Sequence, residues 1–178
     1  MKSFGVLLTV SMLFSILYFS GCNQPGNNPV EVNNNNNSDS FLAKHYNLPS
    51  TTMAELQQAK IATARYNNLA NAIADGYVDI NVIVPHMGYH YMKSGYVNGT
   101  FEIDKPEILV YSRNQTNGQM KLVAVEYAVP NTFPEPSGFT GDYDVWDNNP
   151  TFGLWLLHAW VWEYNPDGVF TDLNPNVE

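Results

Sequence analysis

The chain has 178 residues and a formal net charge of −9, with eight Lys and Arg against seventeen Asp and Glu. That balance excludes a nucleic-acid interface, which needs a basic stripe, and adhesion to anionic lipid by charge alone. A single cysteine excludes an intrachain disulfide, so a core must hold the fold, and an aromatic content of 13% predicts a ring-rich interior.

Lys2 gives the chain a positive start, and Val6 to Phe19 is almost wholly apolar, interrupted by Thr9, Ser11 and Ser15. The run falls short of the roughly 20 apolar residues of a membrane span and fits the core of a signal peptide. It ends in Phe19-Ser20-Gly21-Cys22, which resembles the lipobox where a lipoprotein signal is cleaved and the new N-terminal cysteine is acylated. Phe19 stands where that motif usually carries leucine. The expectation is a signal peptide over 1–21 and a palmitate-type membrane anchor on Cys22, holding the protein to the extracytoplasmic face of the cell envelope. Lipid would then supply the membrane affinity that the charge denies. Asn23 to Ser40 is rich in asparagine, with Pro25, Gly26 and Pro29. It buries too little apolar surface to offset its ordering entropy, so 22–40 reads as a flexible tether. Residues 41–178 remain, enough for one domain with its own core.

Within that domain, Thr52-Met53-Ala54-Glu55 fits a capping box, and Leu56, Ala59, Thr63, Tyr66, Ala70 and Ile73 recur at steps of three and four. Gly76 follows, where a left-handed cap favours glycine. The pattern predicts one helix over 52–75. The period then falls to two: Val78, Ile80, Val82 and Val84 predict a strand ended by Pro85. Further strands are expected over 107–113 and 120–129, joined by the turn signal Asn117-Gly118. The β-branched and aromatic content of 152–164 favours a strand there too, although length alone permits a helix. The proline- and glycine-bearing stretch 130–151 reads as a long loop. One helix followed by mostly antiparallel strands defines an α+β domain, the helix packed on a sheet or partly open barrel.

Strand alternation isolates the residues with chemistry. One row of 120–129 carries Met120, Leu122, Ala124, Glu126 and Ala128, which puts a carboxylate among apolar side chains with alanines beside it. A row of 152–164 carries Leu154, Leu156, His158, Trp160 and Trp162, again with one titratable group. His86 and His90 share a face at even spacing if their segment is extended. A buried carboxylate is costly unless paired, protonated or metal-bound. Two histidines and a carboxylate drawn from separate segments have the composition of a zinc, iron or copper site. A plainer assignment pairs Glu126 with Arg113 or Lys121 and leaves His158 hydrogen-bonded in an aromatic core. Asp142, Asp144 and Asp147 could gather oxygens for Ca²⁺, but the glycine and glutamate of an EF-hand loop are missing. Tyr89, Tyr91, Trp155, Trp160 and Trp162 could form a sugar platform, though at strand spacing such rings are more often core. His45 is expected at the surface near the tether.

Several strings carry a resemblance: Ala64-Arg65-Tyr66, Ala74-Asp75-Gly76-Tyr77, Met87-Gly88-Tyr89-His90-Tyr91, Val125-Glu126-Tyr127, and Leu157-His158-Ala159-Trp160-Val161-Trp162 leading to Asn165-Pro166-Asp167-Gly168. Over roughly 63–176 the chain resembles a family of uncharacterised secreted and lipoprotein domains. His90, Glu126 and His158 fall inside those strings, whereas His86 does not. The resemblance implies a shared site and no particular reaction. The expected function is therefore an extracytoplasmic lipoprotein with a divalent metal on His90, Glu126 and His158, His86 being the least secure ligand. Two alternatives stand beside it: a metal-free surface module for a glycan or protein partner, and acid–base chemistry by Glu126 and His158.

Overall fold

The computed structural model describes residues 39–178; the expected signal peptide, Cys22 and the tether up to residue 38 lie outside the described residues. Among the described residues, three α-helices come first: α1 (Asp39–His45), α2 (Ser50–Thr63) and α3 (Leu69–Ala74). Six strands follow: β1 (Val78–Val84), β2 (Gly88–Met92), β3 (Ile108–Arg113), β4 (Met120–Pro130), β5 (Asp147–Asn149) and β6 (Leu154–Ala159). The strands form one antiparallel sheet in the order β1-β2-β3-β4-β6-β5, curled into a half-barrel.

The helix expected over 52–75 is broken, and the cause is local. The Thr63 hydroxyl donates back to the Ala59 carbonyl at 2.8 Å, a bond that competes with the helix ladder. The chain tightens into a 3-10 turn over Ala64–Asn67, and Asn68 leaves helical geometry altogether (φ −95°, ψ 109°). The Asn68 side chain then accepts from the Ala70 N–H and caps α3. Leu56, Ala59, Thr63 and Tyr66 of the expected stripe reach the core, but beyond the break Ala70 and Ile73 are exposed and Ala72 is buried in their place. The capping box is not used either. Helix α2 begins at Ser50, and Thr52 and Glu55 instead grip Thr140 in the long loop, at 2.7 Å from the Thr52 hydroxyl to the Thr140 carbonyl.

The sheet has two different faces. Tyr91, Leu109 and Tyr111 share one with Val125, Tyr127 and Leu157, and the Tyr111 hydroxyl donates to the Tyr66 carbonyl on the helical side. His90, Met92, Ile108, Val110, Glu126 and His158 share the other. A β-bulge skips Val123, pairing Val110 with Ala124 but Tyr111 with Leu122. Strict alternation therefore fails below it, and Leu122 joins Tyr111's face rather than the Glu126 row. The Val123 carbonyl accepts from the N–H groups of both Trp162 and Glu163. That draws the chain out of the sheet after Ala159 and cuts short the strand expected over 152–164.

Gly88 opens β2 with φ +115°, and a Cβ placed there would lie 2.5 Å from the Tyr111 carbonyl oxygen. Only glycine lets β2 come this close to β3. Gly88→Ala should lower stability by about 2–3 kcal/mol, read as a drop in Tm, and should displace His90 two residues on.

Candidate metal centre

Each of the three side chains comes from a different strand of one sheet face. Glu126 on β4 sits directly opposite His158 on β6, and His90 on β2 lies opposite Val110 of the strand between. All three are buried, with 3% of His90, 4% of Glu126 and 1% of His158 exposed. Ala124 and Ala128 flank Glu126 in its row and leave room for the two imidazoles. His90 Nε2 lies 3.7 Å from Glu126 Oε2, and His158 Nε2 lies 3.2 Å from Glu126 Oε1. One donor atom from each residue falls within 4.8 Å of the others. Metal–nitrogen bonds of about 2.0–2.1 Å in a tetrahedral site separate neighbouring donors by about 3.3 Å. The two close pairs bracket that spacing, and the wider pair needs only a modest inward movement.

Hydrogen bonding fixes what the rings offer. His90 Nδ1 lies 3.0 Å from the Val82 carbonyl, which can only accept, so Nδ1 carries the proton. The Nε2 lone pair then faces the Glu126 carboxylate, an arrangement that asks for a cation between them. A carbonyl partner behind the ring is also what orients a metal-ligating histidine. Neither nitrogen of His158 has a hydrogen-bond partner among the described residues. Nε2 nevertheless faces Glu126 Oε1 at 3.2 Å, which pairs the ring electrostatically with the carboxylate. Coordination through Nε2 would replace that pair, while Nδ1 has no partner in either state.

The charges agree with the geometry. Burial by itself pushes the Glu126 carboxyl up, but His158 and then His90 outweigh it and hold the group below the usual carboxylate range. Burial pushes His158 down, and the facing Glu126 reverses this and raises it. His90 stays below its ordinary value because burial dominates there. The Glu126 charge thus favours the protonated form of His158, while burial favours the neutral form of His90. The three residues form the floor of a pocket of about 160 Å³. Its walls are largely aliphatic, and Asp147, Asn149 and Asp172 also line it.

Other candidates lie elsewhere. His86 occupies the exposed turn after β1 with φ 64°, and its Nδ1 lies 3.0 Å from the Val177 carbonyl, away from the three-residue group. Lys121 pairs with Glu163, so it does not neutralise Glu126. Asp144 accepts from the Phe139 N–H, and among the described residues the only metal-competent group is His90, Glu126 and His158. Of the aromatic candidates, Trp160 is buried with its indole N–H on the Thr171 carbonyl, and Trp162 donates to the Thr63 hydroxyl. His45 is half-buried and stacks on Tyr164 at 4.3 Å between ring centroids. Sequence reasoning passed over two carboxylates. Asp172, on the pocket wall, sits in a polar segment with no periodic cue. Glu107, fully buried at the foot of β3, accepts from the Ala128 N–H at 2.9 Å; its signal was a glutamate heading an apolar run.

The fold and site thus define a mixed helix-and-sheet protein with a buried His-Glu-His group able to hold a metal ion. No protein-family model matches the chain, and no curated protein or solved structure matches it. Among the described residues, no helix is long and apolar enough to cross a membrane.

Proposed function

We propose that the protein is an extracytoplasmic lipoprotein that binds one divalent metal ion through His90, Glu126 and His158, with Cys22 carrying the lipid. The observation that carries the metal reading is the convergence of three buried donors, one each from His90, Glu126 and His158, within 4.8 Å of one another, with the lone pair of His90 facing the carboxylate. Two imidazoles and one carboxylate suit zinc, iron(II) or copper. Three protein donors leave at least one position of a four- to six-coordinate ion for a water or a small molecule, as in catalytic rather than structural zinc sites. On this reading the strings around His90, Glu126 and His158 mark a family of secreted domains built on the same centre.

Elemental analysis of the purified protein, after exposure to zinc, iron(II) and copper(II) in turn, should find one equivalent of one of them. His158→Ala should remove it, lowering affinity by more than the about 10–100-fold lost when only a group supporting a ligand is changed. A wild-type protein that takes up none of the three would overturn the metal reading. The anchor is tested apart from the metal: Cys22→Ser should move the protein from the membrane fraction to the soluble one.

A further inference from the structure

The pocket above the three donors says what the metal would hold. Its walls include Val82, Met92, Ile108 and Leu156, while Asp147 and Asp172 line its exposed part. A volume of about 160 Å³ is close to that of an apolar protein cavity of about 150 Å³ that takes up benzene. A divalent ion with one carboxylate ligand keeps a net charge of +1, and a charged oxygen donor on its open position binds it more tightly than a neutral one. Asp147 and Asp172 already lower the charge of the pocket, so one negative charge on that donor is the most the site takes. A second negative group on the same ligand would extend toward Asp147 and Asp172 and be repelled.

We infer that the centre binds a small organic monoanion: a single carboxylate or similar oxygen donor on the metal, attached to an apolar body no larger than about one six-membered ring. This rests on the metal reading above and deepens it. The pairing is complementary at both ends. The body fills an aliphatic cavity, which contributes affinity in proportion to the area buried, and the oxygen takes the coordination position that the protein leaves to others. Selectivity follows from shape and charge together: a bare anion forgoes the burial, a neutral ring forgoes the metal, and a dianion meets the rim.

The test is calorimetric titration of the purified protein, first with zinc alone and then, on the zinc-loaded and metal-free forms, with acetate, benzoate and terephthalate. Benzoate should bind the zinc form at least about tenfold more tightly than acetate, from ring burial. It should bind at least about tenfold more tightly than terephthalate, from like-charge repulsion at the rim, and should not bind the metal-free form measurably. Leu156→Phe, on the half-buried pocket wall, should keep zinc uptake and lose benzoate. Asp172→Asn should recover part of the terephthalate binding. If zinc binds while benzoate does not, or if benzoate binds no better than acetate or terephthalate, the ligand inference is wrong and the metal reading stands. Equal benzoate binding without metal would also refute it. A protein that takes up no zinc, iron(II) or copper(II) removes both.

Discussion

Glu126→Gln should abolish metal uptake and destabilise the metal-free protein together. Glutamine keeps the shape and loses the charge, so the buried His158 loses the group that favours its protonated form and the metal loses its only anionic ligand. Removing one partner of a buried pair costs about 3–5 kcal/mol. At roughly 2–4 °C of Tm per kcal/mol for a chain of this size, the midpoint should fall on the order of 10 °C. Thermal unfolding followed by circular dichroism reads the second effect and elemental analysis the first. A control separates charge from volume. The double variant Glu126→Leu, His158→Leu removes both partners, and apolar replacement of a whole buried pair is commonly neutral or stabilising. It should melt near wild type and hold no metal. A double variant that also loses about 10 °C would mean that the pair serves the fold itself.

Glu107 should make the protein less stable as the pH rises, the reverse of what a paired carboxylate does. Burial pushes its carboxyl from the usual 4.5 up to about 8, with the Ala128 N–H only partly opposing. Since the folded-state value is the higher one, the folded state binds the proton more tightly than the unfolded state does. Stability is then greatest below about 4.5 and declines as the pH rises through about 8. Glu107→Gln keeps an acceptor for the Ala128 N–H and cannot ionise. The difference in Tm between variant and wild type should be near zero at pH 4.5 and grow in the variant's favour by pH 8, by an amount equivalent to a few kcal/mol. A flat difference across that range would show that Glu107 is ionised in the fold.

What the sequence disclosed was the parity of its strands. Glu126 and His158 each interrupt an apolar row, and in the sheet they face each other across β4 and β6. His90 was legible as a candidate but its strand was not, because β2 is five residues long and flanked by a turn whose His86 adopts φ 64°. That same turn carries His86 away from the centre, which even spacing could not foresee. The Val123 bulge was invisible because an inserted residue leaves composition and hydrophobicity unchanged while reversing the facing of everything beyond it. The helix broke at Thr63–Asn68 for a similar reason. The hydrogen bonds that cause the break belong to single polar side chains, which an apolar period does not register, and past them Ala70 and Ile73 turn outward. Glu107 escaped notice because what buries it, the start of β3 under β4, is set by long-range pairing.

Strand β1 bears on how the protein behaves when concentrated. It is one margin of the sheet, and its pairing with β2 slips between Asp79 and Ile83, where Asn81 takes φ 57°. The slip leaves the Val82 carbonyl to His90, and it also interrupts the row of backbone groups that a second molecule would need for strand-to-strand addition. The opposite margin, β5, offers only three residues. With Val78 and Ile83 exposed on the first margin, a regular β1 would offer a template for fibrillar self-assembly; a single kink both breaks that template and aims the histidine.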